Sequence, residues 1–109
     1  MATKPPARLA RNAATLERLN TSRAHRRILE RADDDLLLCL SDCVTNILRG
    51  NVLITPAEHR LLERHKKMLR ALCQASPKKI RDQLRRQAPK LLRAIVRPAL
   101  ALLDAQREQ

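Results

Sequence analysis

Three cysteines, Cys39, Cys43 and Cys73, and the histidines His59 and His65 are the side chains best suited to hold a metal or to pair a nucleophile with a base. Cys39 and Cys43 stand one helical turn apart. Structural zinc sites instead place C-x2-C or C-x4-C in loops with a matching second pair, and that pattern is absent. Buried cysteine packs as a small hydrophobe, so the three read as reduced core thiols, and no metal or other cofactor is expected. His65 projects into an apolar stripe between Leu61, Leu62, Leu69 and Leu72, which predicts a buried, hydrogen-bonded histidine. A Cys-His nucleophilic pair would need an orienting group that nothing specifies. Ser22, Ser41 and Ser76 sit in helical or capping contexts, and Asp33-Asp34-Asp35 suits the positive end of a helix dipole better than a Mg²⁺ site. No nucleophile, base and oxyanion donor can be assigned together, so no enzyme is expected.

Cations carry the stronger chemical signal. One row comprises Arg60, Arg64, Lys67 and Arg70, with Lys66 and His59 at its edge, and a second comprises Lys78, Lys79, Arg81, Arg85 and Arg86. Both recur at helical spacing, and Glu63 and Asp82 are nearly the only acids among them. An unrelieved positive face repels itself and is best tolerated where a polyanion binds and condensed counterions are released. Arginines outnumber lysines seventeen to six, which suits bidentate grip on phosphate oxygens. The expected partner is nucleic-acid backbone, DNA ahead of RNA. With no Phe, Tyr or Trp there is no base-stacking platform, and no helix-turn-helix, zinc-finger or bZIP signature reads bases. Binding should be electrostatic and sequence-tolerant.

The chain that positions these groups has 109 residues, 44% of them hydrophobic, and a formal net charge of +12. Twenty leucines and no aromatics imply an aliphatic core. A single glycine, Gly50, excludes the Gly-rich phosphate loops of nucleotide-binding enzymes and argues against an all-β fold. The longest apolar runs, Leu36 to Leu40 and Ala99 to Leu103, fall far short of the roughly 20 residues that span a bilayer. The first residues lack the apolar region of a signal peptide, so an intracellular location is expected.

Charge divides the chain into three blocks. Residues 1–29 carry +6, residues 30–48 carry −4 and residues 49–109 carry +10. The first block opens on Lys4-Pro5-Pro6 and has few apolar positions, so it reads as a basic arm, disordered to about Thr15 and then helical in part. A helix from about Asp33 to Arg49 follows, its face formed by Leu36, Cys39, Leu40, Cys43, Val44 and Ile47, with Gly50 as terminator and Leu38 solitary on the far side. Thr55-Pro56-Ala57-Glu58 is a capping box that opens a helix running to about Gln74. Ser76-Pro77 opens a shorter helix ended by Pro89, and a last helix spans Lys90 to about Ala105, bent by Pro98.

These elements predict an all-α fold: a small bundle of three or four helices over residues 30–105, with the basic, partly disordered arm before it and a tail at 106–109. The apolar face of the last helix should close the core. An amphipathic helix lying on a membrane is the less favoured reading of that segment, since interfacial Trp and Phe are missing. A core this small supplies only a few kcal/mol, which leaves self-association open. An alternative function is a helical protein-interaction module using Leu38, or Ile95 and Leu102 of the last helix.

From Leu40-Ser41-Asp42-Cys43-Val44-Thr45-Asn46-Ile47-Leu48-Arg49-Gly50-Asn51-Val52, through the Thr55-Pro56 cap and Leu61, to Arg64-His65-Lys66-Lys67-Met68-Leu69-Arg70-Ala71-Leu72 and Pro77-Lys78-Lys79-Ile80, the chain resembles a family of short basic proteins of polinton-like and adintovirus-like double-stranded DNA elements. The resemblance covers about residues 36–103. Family members continue into a Gly-Gly and Leu/Pro-rich tail similar to the end of the adenovirus core protein mu precursor, where this chain has Gln87-Ala88-Pro89-Lys90-Leu91-Leu92 and Arg97-Pro98-Ala99-Leu100. What it implies is a genome-condensing virion-core protein, located in the nucleus or the virion. In that role the arm residues Arg8, Arg11, Arg18, Arg23, Arg26 and Arg27 would bind phosphates without regard to sequence.

Overall fold

Local capping chemistry sets where the central helices start and stop. The computed structural model describes residues 7–107, so Lys4-Pro5-Pro6 and tail residues 108–109 lie outside the described residues. These form eight helices and, among the described residues, no strand: α1 (Ala7–Arg11), α2 (Ala13–Thr21), α3 (His25–Glu30), α4 (Asp34–Leu48), α5 (Pro56–Arg64), α6 (Lys66–Leu72), α7 (Pro77–Arg85) and α8 (Pro89–Arg107). Asp33 caps α4 by accepting the Leu36 amide at 2.9 Å, and Gly50, at φ 71°, ends it in the left-handed region that a side chain would resist. Thr55 and Glu58 close their capping box through reciprocal bonds of 3.1 and 2.8 Å. Ser76 caps α7.

The all-helical class agrees with the sequence, but the count and the arm do not. The expected single helix after Thr55 is two, α5 and α6, because the chain turns at His65 (φ −111°, ψ 15°). There the amide reaches back only to Leu62 O, a three-residue step, while its carbonyl already accepts the Leu69 amide. His65 is half-buried, not a core histidine. The last helix runs unbroken through Pro98.

The larger correction concerns residues 7–29. They are three helices, and Leu9, Ala13, Leu16, Leu19, Ile28 and Leu29 are buried. The most extensive helix-helix contact in the molecule is α2 on α8, and α3 packs on α7. Few apolar residues suffice here because each is buried almost completely, against α7 and α8, which lie far downstream in the chain. Leu37, Leu40, Ile80, Leu84, Leu92, Ile95 and Val96 lie at the centre with no exposed surface or nearly none.

The proposed interaction residues are also redistributed. Ile95 is wholly in the core, and Leu38 and Leu102 are half-buried, with Leu38 against the core, so none is a free apolar knob. Ser41 is buried and donates to Leu72 O at 2.9 Å, tying α4 to the end of α6. Leu91, Leu92, Ile95, Val96, Ala99 and Leu103 of α8 are buried, so its apolar face is spent on the bundle. Among the described residues no helix is long and apolar enough to cross a membrane. Cys39 and Cys43 are free and buried, one turn apart on α4, and the half-buried Cys73 thiol lies 3.5 Å from Leu69 O. The mutual hydrogen bond of Cys39 and Cys43 lowers the pKa of the first and, with burial, raises that of the second well above the usual thiol range.

Candidate nucleic-acid interface

Burial of one face of α7 decides what the other face offers. With Ile80 and Leu84 fully buried, Lys79, Gln83 and Arg86 recur at three- and four-residue steps along the outside, and Arg64, Lys67 and Ala71 do the same along α5 and α6. The two stripes border one groove of about 830 Å³. Met68, Ala71, Leu72 and Ala75 form its apolar floor, and Arg64, Lys67, Lys79 and Arg86 its cations. Asp82 is the single carboxylate of the lining. Arg64, Lys67, Lys79 and Arg86 make no ion pair among the described residues. Residues 15 and 22 apart in sequence thus present uncompensated charge to one space.

Packing of α3 on α7 extends the belt into the first charge block. Arg26 and Glu30 of α3 meet Arg85 and Arg86 around a cleft of about 230 Å³, so Arg86 belongs to both spaces. Arg85 stands 3.9 Å from Glu30, a weak ion pair that leaves Arg26 and Arg86 unpaired among the described residues. Arg27, one position on, lines a separate cleft against α2. Arg23, Arg60, Arg70 and Lys78 are exposed but border neither the groove nor the cleft beside it. Lys66, also off the groove, lies 3.8 Å from Glu63, which His59 approaches to 3.6 Å.

Arg81 has a different task from the one its spacing suggested. Its Nε donates to Leu29 O at 3.1 Å and its Nη2 to Ala32 O at 2.6 Å. Leu29 O, which also accepts the Ala32 amide at 3.2 Å, lies in the last turn of α3 and Ala32 O just beyond it, so the guanidinium joins the end of α3 to α7. Arg81→Ala should therefore lower stability by about 1–3 kcal/mol and leave the salt dependence of nucleic-acid binding unchanged. Chemical denaturation and a salt-dependent binding titration on the same variant check the two halves of that statement.

Further cations are neutralised in cis. Arg8 reaches Asp42 at 2.9 Å and Asp35 at 3.3 Å, and Arg11 grips Asp35 through bonds of 2.9 and 3.2 Å. Asn12 donates to the same carboxylate at 3.0 Å. Asp35 and Asp42 are seven residues apart on one face of α4, the signal in the sequence that could have matched Arg8 and Arg11 to them. Both arginines are thereby removed from the set of free phosphate binders. Hydrogen bonds from Arg11 and then Asn12 bring the Asp35 carboxyl from 3.8 down to about 2. A depressed carboxylate stabilises the fold fully above its unfolded pKa and loses that contribution as pH falls through the folded one. The contribution of Asp35 to holding α1 should thus be constant down to about pH 4 and be lost between there and about pH 2. The amide shifts of Leu9 and Arg11 across an acid titration report it, and a loss already complete at pH 5 would refute the assignment.

Arg97 of α8 donates from Nε and Nη2 to both oxygens of Glu58, and Nη2 also donates to Leu53 O at 3.1 Å. The capping carboxylate of α5 is thus also the anchor of α8. Five of the cations left unpaired among the described residues, Arg26, Arg64, Lys67, Lys79 and Arg86, line the α5–α6–α7 groove or its extension onto α3. Among the described residues, no three His, Cys, Asp or Glu side chains converge as metal ligands. Comparison of the chain with family models, with curated proteins and with solved structures finds no match.

Proposed function

We propose that this protein is a non-enzymatic, sequence-tolerant nucleic-acid-binding protein whose α5–α6–α7 groove receives the phosphate backbone, DNA being the favoured polymer. The observation that carries the reading is the gathering of Arg64, Lys67, Lys79 and Arg86 along one groove with a single acid, all four unpaired among the described residues. Arg26 extends the same track from α3. The described residues extend 36 Å at most, about one turn of duplex, which corresponds to a footprint of roughly ten base pairs. The resemblance to short basic proteins of double-stranded DNA elements supports a condensing, virion-core form of the same role. Self-association on the polymer would serve it.

If Arg26, Arg64, Lys67, Lys79 and Arg86 each neutralise one phosphate, the logarithm of the binding constant falls against the logarithm of salt with a slope of about −4.5. Fluorescence anisotropy on random-sequence duplex between 50 and 200 mM salt measures that slope. Equal affinity for unrelated sequences is expected. No binding at the lower salt defeats the proposal.

A helical protein-interaction module is the second reading, favoured by one observation. Leu53 is 92% exposed on the connector before α5, and Leu48 at the end of α4 is partly exposed nearby in sequence. Under this reading Leu53→Asp abolishes partner capture and leaves duplex affinity untouched.

A further inference from the structure

Beyond the groove, we propose that the cleft between α2, α3 and the start of α4 is a binding site for a single phosphate dianion, either inorganic phosphate or the terminal phosphate of a larger molecule. Arg18 of α2 and Arg27 and Arg31 of α3 and its C-cap border this cleft. Arg27 and Arg31 are one turn apart and so share a face of α3, while Thr15 stands one turn before Arg18. Three guanidiniums from two helices therefore surround one space. None of the three makes an ion pair among the described residues, in contrast to Arg8 and Arg11 across Asn12, which consume Asp35 and Asp42.

The other walls narrow the ligand. Asn12 has both amide hydrogens committed, to Arg8 O at 2.8 Å and Asp35 at 3.0 Å, so it holds shape without donating inward. The Thr15 hydroxyl has no hydrogen-bond partner among the described residues and is the remaining neutral donor. Ile28, Ala32 and Leu36 are buried and give the cleft an apolar floor, against which charge interactions are less screened. Asp33 is the one carboxylate of the lining, and its Oδ1 is occupied by the Leu36 amide. Three guanidiniums and one carboxylate leave a net charge of +2. A phosphate monoester carries about −1.5 to −2 at neutral pH, which matches that balance better than the single charge of a backbone phosphodiester. The volume, about 240 Å³, lies below the 300–1,000 Å³ of sites that enclose drug-sized ligands. It accommodates a tetrahedral oxyanion with some of its water, leaving any organic remainder outside.

The probe is inorganic phosphate, titrated into the full ¹⁵N-labelled chain against chloride at constant ionic strength, with arginine Nε–Hε and backbone amide shifts recorded. Saturable shifts at Thr15, Arg18, Arg27 and Arg31 are expected, several-fold weaker at pH 5.5, where the probe loses its second charge. Arg27→Gln with Arg31→Gln, both exposed positions, should weaken binding at least about tenfold with circular dichroism unchanged. Arg64→Gln with Lys67→Gln should leave it intact, which separates this site from the duplex groove. Shifts that follow ionic strength without saturating, or that survive the Arg27/Arg31 variant, overturn the proposal. A second arm compares 5′-phosphorylated with 5′-hydroxyl oligonucleotides. Tighter binding of the phosphorylated strand that disappears in the Arg27/Arg31 variant assigns the site to strand ends, and equal binding alongside saturable inorganic phosphate assigns it to the free anion.

Discussion

A chain beginning at residue 25 should lose its cooperative thermal transition. As a sequence, residues 1–24 read as a basic arm whose removal ought to cost little. In the folded protein they contribute Leu9, Ala13, Leu16 and Leu19 to the core, with Leu16 and Leu19 fully buried in the α2–α8 region. A buried leucine truncated to alanine costs about 2–5 kcal/mol. Two such losses already equal much of the roughly 5–15 kcal/mol by which a domain of this size is folded. The deletion further exposes the apolar face of α8, which then has no partner on that side. Leu16→Ala by itself should lower the melting temperature by at least about 8 °C, at 4–8 °C per kcal/mol. Far-UV circular dichroism melts of both proteins decide the matter, and a sharp transition near the parental temperature in the deletion would restore the arm.

Replacing Arg64, Lys67, Lys79 and Arg86 together by glutamine should flatten the salt dependence of duplex binding by about 3.6 in log-log slope. At 0.1 M salt the affinity should fall on the order of 10³-fold, since each released counterion contributes nearly one decade there. Arg64, Lys67, Lys79 and Arg86 are unpaired among the described residues, so the fold should tolerate the change and gain slightly from relieved repulsion. A control of equal charge at Arg23, Arg60, Arg70 and Lys78, which border neither the groove nor the cleft beside it, carries the decisive contrast. If net charge alone drove association, both variants would weaken binding equally. The groove requires the first to lose far more.

Where a helix starts or ends through its own backbone, the structure was legible beforehand. Asp33, Gly50, Thr55 with Glu58, and Ser76 with Pro77 act on amides and carbonyls within four residues, so the bounds of α4 and the starts of α5 and α7 follow from short strings of letters. Leu36, Leu40 and Val44 likewise kept the inward positions that their periodicity assigned. The turn at His65 carries no proline or glycine to announce it. The start of helical structure at Ala7, ahead of the partial helix expected after about Thr15, was not legible because the apolar residues there are too few to fold alone, and the surfaces that cover residues 7–30 lie on α4, α7 and α8. Of the groove, the rows were legible and their convergence was not: spacing placed Lys67 and Lys79 on outer faces, but only the packing of α7 beside α6 made one space of them.

Composition and local pattern were enough to determine an all-helical protein with an aliphatic core and a large surplus of arginine. Which arginines remain available was decided by tertiary structure. Arg8, Arg11 and Arg97 found carboxylates, and Arg81 found the carbonyls closing α3, whereas Arg64, Arg86, Arg18, Arg27 and Arg31 found none among the described residues. A guanidinium acts over a few ångströms, and its partners here lie 24 to 52 residues away along the chain. Until folding brings those distant groups together, every arginine in the sequence looks the same.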